Sequence, residues 1–169
     1  KEAQKKLPAG VSLYAYHGQS RKRDPEFLAE HDVVVSTYSI LASDDNYHRI
    51  KSGFETYVSP LAAVEWHRVV LDESHAIKSS SVAHTKAAYE LVSDRRWCVT
   101  GTPICTSVDD LYSQIKFIGL SPLDDKPSWV RLSGSTNGGR GVRHSSLTMV
   151  TPNLICILKN IMCRHTMDQ

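Results

Sequence analysis

The 169 residues carry a formal net charge of +2, with 41% hydrophobic and 22% charged residues. That length and balance fit one globular domain with a real core, and a charge so near zero selects no class of partner. No apolar run approaches the ~18 residues of a membrane span, and the opening Lys-Glu-Ala-Gln-Lys-Lys leads into no apolar signal segment. Neither a membrane partner nor secretion is expected. The chain begins at Lys1 rather than Met, so it is expected to be a piece of a longer protein.

Residues 1–23 hold Lys1, Lys5, Lys6, Arg21, Lys22 and Arg23 against Glu2 alone. Such a basic stretch either contacts phosphates or forms a solvated surface. Residues 11–16 then form a first candidate strand. Three further short apolar runs, 32–36, 68–71 and 97–100, are continuous and β-branched, as expected of parallel strands covered on both faces. Between them, residues 81–93 place Val82, Ala83, Ala87, Leu91 and Val92 near a helical period, with capping hydroxyls at 79–81. Residues 109–118 predict a second helix with Leu111, Tyr112, Ile115 and Ile118 on one face. Residues 152–162 predict a third, with Pro152 in its first turn. Strands alternating with helices predict an α/β domain built on a mainly parallel sheet. Residues 133–147 have turn residues and no apolar period, and are expected to be a flexible insertion or linker.

Cys98, Cys105, Cys156 and Cys163 lack zinc spacing and are expected to be free thiols, with Cys98 and Cys156 in apolar runs behaving as small hydrophobes. The eight histidines form no His-x-x-x-His pair and are expected to be scattered over the surface. Trp66 and Trp97 are expected to anchor the core rather than to stack on bases.

Chemistry concentrates at two places. In Val69-Val-Leu-Asp-Glu-Ser-His75 an apolar strand ends in adjacent carboxylates, and ligands of α/β sheets bind beyond the carboxyl ends of strands. Asp72 can hold Mg²⁺ through its waters, and Glu73 can orient and deprotonate an attacking water. His75 lies two residues on. In Val99-Thr-Gly-Thr-Pro103 a second strand ends in two hydroxyls around a glycine. Gly101 would let the backbone bend close to another group, and Thr100 and Thr102 can hydrogen-bond to a neighbouring histidine or to phosphate-bound water.

Leu71-Asp-Glu-Ser-His-Ala-Ile-Lys78 and Val99-Thr-Gly-Thr-Pro-Ile104 together resemble motifs II and III of the SWI/SNF family of superfamily-two ATP-dependent DNA translocases. Asp110-Leu-Tyr-Ser-Gln-Ile-Lys-Phe117 resembles the family's helix after motif III, and Val33-Val-Val-Ser-Thr-Tyr38 its motif Ib. Leu7-Pro-Ala-Gly10, Tyr16-His-Gly18 and Ser36-Thr-Tyr38 resemble the subgroup of the helicase-like transcription factor and its post-replication-repair relatives. The resemblance covers residues 5 to about 130 and implies a RecA-like first ATPase lobe, of P-loop NTPase type. Residues 1–132 would be its body and 148–169 a helix and its end. It implies ATP and Mg²⁺ as cofactors, with Glu73 and His75 catalytic, Asp72 on the metal, and Thr100, Gly101 and Thr102 at the nucleotide. It implies double-stranded DNA held at Thr37 and Tyr38, a second ATPase lobe in the same parent chain, possible nucleosome substrates and a nuclear location.

Departures accompany the resemblance. Ser74 stands where the family has Ala, and Cys105-Thr106 where it generally has Gln-Asn. In Met162-Cys-Arg-His-Thr-Met-Asp168, Cys163, His165 and Met167 depart from the family's basic segment. The phosphate-binding Gly-x-x-x-x-Gly-Lys-[Ser/Thr] does not occur in these residues, and in the family it lies further upstream of motif II. An incomplete lobe is expected, unable to hydrolyse ATP by itself. The rival expectation is a non-catalytic chromatin or DNA-binding module derived from the same fold.

Overall fold

The computed structural model describes residues 5–52, 58–133 and 151–163. They divide into two compact units, Lys1–Leu71 with Ser79–Trp97, and Asp72–Lys78 with Cys98–Gln169.

In the first unit, β1 (Leu13–Ala15) and β2 (Val33–Val35) pair in parallel, with Leu13 opposite Val33 and Ala15 opposite Val35. Asp32 and Ser12 brace the start of the pair from both sides. The Asp32 carboxylate accepts from the Ser12 N–H at 2.8 Å and the Ser12 hydroxyl at 2.7 Å, while the Asp32 N–H donates back to Ser12 Oγ at 2.8 Å. These bonds to Ser12 hold the Asp32 carboxyl below its ordinary value. Between the strands runs α1 (Pro25–Ala29), begun by Asp24, which accepts from the Glu26 N–H, and by Pro25, whose fixed φ suits a first turn. α2 (Tyr38–Ser52) follows β2 directly and packs on α3 (Ala83–Tyr89). β3 (Glu65–Leu71) and β4 (Val92–Cys98) form a second two-stranded sheet.

Several expectations change here. The strands form two pairs rather than one sheet among the described residues, and they are not covered on both faces. Val35, Val70 and Val92 are each about half exposed. Continuous apolar runs report affinity for a covered surface, but in a two-stranded ladder each strand keeps an open edge. β4 begins at Val92, so Leu91 and Val92 do not prolong α3; the polar Ser93-Asp-Arg-Arg96 had hidden the start of this strand. Trp97 is 54% exposed, beneath the Arg68 guanidinium, and is not a core anchor. The hydroxyls of Ser79 and Ser81 bond each other rather than capping α3, whose cap residue Val82 offers no side-chain bond.

The second unit is built on α4 (Asp110–Ile118), α5 (Lys126–Ser133) and α6 (Pro152–Ile161). Leu111, Tyr112 and Ile115 of α4 meet Leu123, Trp129 and Leu154 in one core cluster. Trp129 is fully buried and its indole N–H donates to Asp109 Oδ1 at 2.9 Å, so the ring is both packed and satisfied. α4 ends at Gly119, whose φ of 75° only glycine adopts cheaply, and whose N–H returns to the Ile115 carbonyl. α6 starts at Thr151, which accepts from the Leu154 N–H. Leu154 is buried, and Cys156, two residues on and so across the helix, is exposed rather than in the core. All four cysteines are free thiols. The expected linker at 133–147 lies, apart from Ser133, outside the described residues, as do Arg164, Thr166 and Asp168 of the closing segment.

No helix among the described residues is long and apolar enough to cross a membrane.

Candidate functional site

β3 runs into the second unit through Leu71, which is 7% exposed, and immediately turns. Asp72 and Glu73 are both exposed at that turn. Glu73 adopts φ 47° and ψ 48°, the left-handed region, which costs a side-chain-bearing residue roughly 1–2 kcal/mol. Local bonds enforce it. The Glu73 N–H donates to Asp72 Oδ1 at 2.9 Å, and the Glu73 carbonyl accepts from the Ala76 N–H at 2.9 Å. A single 3₁₀ turn, Ser74–Ala76, then carries His75 sideways, and Ile77, fully buried, pins its far end. Strain at a non-glycine residue beside a pair of carboxylates is the kind of backbone cost that clusters at active sites.

Val99, the residue after β4, meets this turn directly, since the Ser74 N–H donates to the Val99 carbonyl at 2.9 Å. Thr100 Oγ1 therefore lies 3.0 Å from His75 Nδ1, and Thr102 Oγ1 lies 3.5 Å from the same nitrogen. Glu73 Oε2 is 3.2 Å from it. One carboxylate and two hydroxyls thus converge on one imidazole nitrogen. When protonated, that nitrogen donates to Glu73 or Thr100; when bare, it accepts from a threonine hydroxyl. Thr100 Oγ1 also accepts from the Thr102 N–H at 3.1 Å, which closes the hydroxyl turn on itself.

Gly101 is exposed, and a Cβ placed there would meet nothing within 4 Å among the described residues.

The loop after Pro103 is wired to α4 by Asp110. Its carboxylate accepts from the N–H groups of Cys105, Thr106 and Ser107 at 2.9, 2.6 and 3.2 Å, and from the Thr106 hydroxyl. Burial pushes this carboxyl up, but the backbone N–H bonds outweigh burial and hold it below its ordinary value. Gln114, on the next turn of α4, reaches the Ser74 hydroxyl at 3.0 Å and the Pro103 carbonyl at 2.9 Å. Neither role was visible in sequence beyond an acidic residue at a helix start.

Among the described residues no three His, Cys, Asp or Glu side chains group as a metal site. Mg²⁺ takes one or two carboxylates and completes its shell with water and phosphate oxygens. Asp72 supplies a hard, exposed oxygen donor at the strand end, so the residues present fit such an ion.

Thr37 and Tyr38 belong to the first unit. Thr37 is exposed and caps α2: its Oγ1 accepts from the Ile40 N–H at 3.3 Å and its carbonyl from the Leu41 N–H at 3.0 Å. The threonine O–H proton remains available to an outside acceptor. Tyr38 is half-buried, its ring 5.8 Å from that of His84. The basic stretch before it is partly consumed inside the fold. Arg21 is 8% exposed and paired with Asp44, Arg23 also bonds Asp44, and the Lys22 ammonium sits 3.8 Å over the Phe27 ring.

Comparison with known proteins places these features. The SNF2-related domain matches residues 1–169. The chain is 41% identical over 125 residues to DNA repair protein RAD5A of Arabidopsis thaliana, covering 74% of this chain and 12% of that protein. It is 36% identical over 159 residues to the helicase-like transcription factor of Mus musculus, covering 92% of this chain and 14% of that protein. Among solved structures, the Sulfolobus solfataricus SWI2/SNF2 ATPase core in complex with double-stranded DNA superposes with a TM-score of 0.68 at 25% identity. That match covers 98% of this chain and 30% of the other. The strands with flanking helices are those of that α/β, RecA-like core, and the chain belongs to the SNF2-related family.

Proposed function

We propose that the full-length protein hydrolyses ATP and couples the hydrolysis to tracking along double-stranded DNA in the nucleus, acting on nucleosomes or stalled forks. The observation that carries this is the convergence of Glu73, Thr100 and Thr102 on His75 Nδ1 at the ends of two strands. In this reading Glu73 takes the proton of the attacking water, and its left-handed backbone holds the carboxylate out of the strand. His75 holds Glu73 and the threonine turn in register. Thr100, Gly101 and Thr102 lie against the terminal phosphate. Asp72 holds Mg²⁺ through its waters, and the bound ion supplies charge neutralisation for the phosphates. A second ATPase lobe of the same parent chain closes over the nucleotide, and each closure shifts the grip on DNA at Thr37 and Tyr38.

The test is phosphate release by the full-length protein with and without duplex DNA. Stimulation by DNA is expected. DNA binding with no hydrolysis at any DNA concentration would replace this reading with the non-catalytic module. The 169 residues by themselves contain no Gly-x-x-x-x-Gly-Lys-[Ser/Thr] and are expected to release no phosphate, because phosphoryl transfer is mostly positioning and charge stabilisation. Release by the purified chain would show that a different clamp exists.

The DNA contact has its own test. Thr37→Ala would remove a helix cap, typically ~1 kcal/mol, together with any phosphate contact. Thr37→Asp keeps the cap and puts a negative charge where a phosphate would sit. Combined with Tyr38→Ala, it is expected to weaken DNA stimulation equally across unrelated sequences, with basal hydrolysis unchanged, because backbone contacts carry no sequence information. A defect confined to one DNA sequence, or a loss of basal activity, would refute a backbone contact.

A further inference from the structure

Ser74 and Gln114 are 40 residues apart in sequence, yet both are buried, at 0% and 5% exposure, and bonded side chain to side chain. The Ser74 hydroxyl donates to Gln114 Oε1 at 3.0 Å. Gln114 Nε2 donates to the Pro103 carbonyl at 2.9 Å and to the Asp110 carbonyl at 3.4 Å. Only this orientation of the amide works, since its oxygen faces a donor and its nitrogen faces two carbonyls. Both amide protons and the amide oxygen are then used.

One end of this bridge is the turn that carries Asp72, Glu73 and His75, and the other is the turn that carries Thr100 to Pro103. The bond between His75 and Thr100 also joins the two turns, but it is half-exposed, and water can substitute for either partner. The Ser74–Gln114 bond is dry, so breaking it leaves groups that nothing replaces. Burial pushes the Cys98 thiol, at the end of β4, up to about 11, so Cys98 stays protonated and inert.

We infer that the Ser74–Gln114 bridge makes the Asp72–Glu73 turn and the Thr100–Pro103 turn move as one body, which makes Gln114 a positioning residue for hydrolysis. The catalytic part of this inference rests on the proposed ATPase reading; the mechanical part does not. With the bridge intact, a displacement of the threonine turn is transmitted to the general base. Without it, the half-exposed His75 contacts alone must do so.

The test uses the full-length protein with Gln114→Met, which keeps length and apolar volume but loses every bond, and with Ser74→Ala. Two measurements are made: amide hydrogen exchange in segments 74–77 and 102–106, and DNA-stimulated turnover. Gln114→Met is expected to speed exchange about tenfold in both segments and not elsewhere, the scale of one lost hydrogen bond. Turnover is expected to fall by about the same factor while KM for ATP stays within about twofold, because the nucleotide contacts themselves are untouched. Ser74→Ala is expected to act in the same direction and decides the matter if Gln114→Met does not fold. Gln114→Glu keeps the acceptor for Ser74 and loses the donor to Pro103, so segment 102–106 should loosen more than segment 74–77. Unchanged exchange in either segment, or faster exchange spread evenly over the second unit, would overturn the bridge. A fall in stability with turnover per folded molecule unchanged would overturn the positioning role of Gln114. If the unmodified protein hydrolyses no ATP, the proposed function fails and the exchange data still decide whether the two turns are tied.

Discussion

Glu73→Gln in the full-length protein is expected to lower DNA-stimulated ATP turnover by ~10²–10⁴, the usual worth of a positioned general base. The amide has nearly the shape of the carboxylate, so the left-handed backbone at residue 73 and the 3₁₀ turn after it should persist. The contact from Glu73 Oε2 to His75 Nδ1, 3.2 Å in length, can be kept by the amide oxygen. What disappears is an acceptor able to take a proton from water. ATP binding, measured by equilibrium titration, should therefore change little, because Asp72 and the threonine turn are intact. Turnover within a few-fold of the unmodified protein would reduce Glu73 to a structural turn residue. Loss of ATP binding together with turnover would mean that the carboxylate organises the site rather than reacting in it. His75→Ala makes a useful contrast. It releases Glu73, Thr100 and Thr102 from one another and should change turnover without removing the base.

The parts of this site that could be read from sequence are those whose chemistry lies along the chain. Asp72 and Glu73 follow an apolar strand, and Thr100 and Thr102 follow another, so strand ends alone bring the two sets to one side of a sheet. Helices with one strong apolar face were equally legible. The predicted 109–118 is observed as Asp110–Ile118, and the predicted 152–162 as Pro152–Ile161. α2 was missed because Tyr38–Ser52 has a polar mean composition and only a weak apolar stripe, so its helicity comes from the Thr37 cap and from packing on α3 rather than from periodicity. Trp129 was missed as the anchor of the second unit because it is flanked by Ser128 and Val130 in a short helix with no long apolar pattern. Gln114 reads as a polar interruption in an otherwise apolar helix face. Only the fold reveals that the interruption faces Ser74. Contacts spanning twenty to forty residues are set by topology, and no local pattern announces them.

Asp44 is the clearest such case and carries the largest expected effect on stability. It is 1% exposed on α2 and is reached by three side chains from the segment after β1. Tyr16 O–H and Arg21 Nη2 make short bonds to it, Arg21 Nε lies 3.1 Å from Oδ2, and Arg23 Nε lies 3.2 Å from Oδ1. Burial pushes its carboxyl up, but bonds to Arg21, Tyr16 and Arg23 more than offset this, and the group sits below its ordinary value. Tyr16 is also fixed through its backbone, donating its N–H to the Val35 carbonyl at 2.8 Å and accepting from Ser36 Oγ at 3.1 Å. The cluster therefore holds both sides of Thr37, the end of β2 before it and the body of α2 after it. Asp44→Ala leaves Arg21 buried with no counter-charge, a change that typically costs ~3–5 kcal/mol. Opening of this region is then expected to become roughly 10²–10³-fold more frequent, read as faster amide exchange at 13–16, 33–36 and 41–45. Asp44→Asn, which can still accept from Tyr16, should fall between. The pH dependence has a definite sign. A carboxyl whose folded pKa is depressed stabilises the fold above its unfolded value near 3.8 and loses that contribution only as pH falls through the lower folded value. The gap between the unmodified protein and Asp44→Ala, corrected for intrinsic exchange, should therefore stay constant down to the ordinary carboxylate range and close only below it. A gap that closes well above that range would assign the stabilisation to another group, and no gap at all would mean that the cluster is satisfied without its carboxylate.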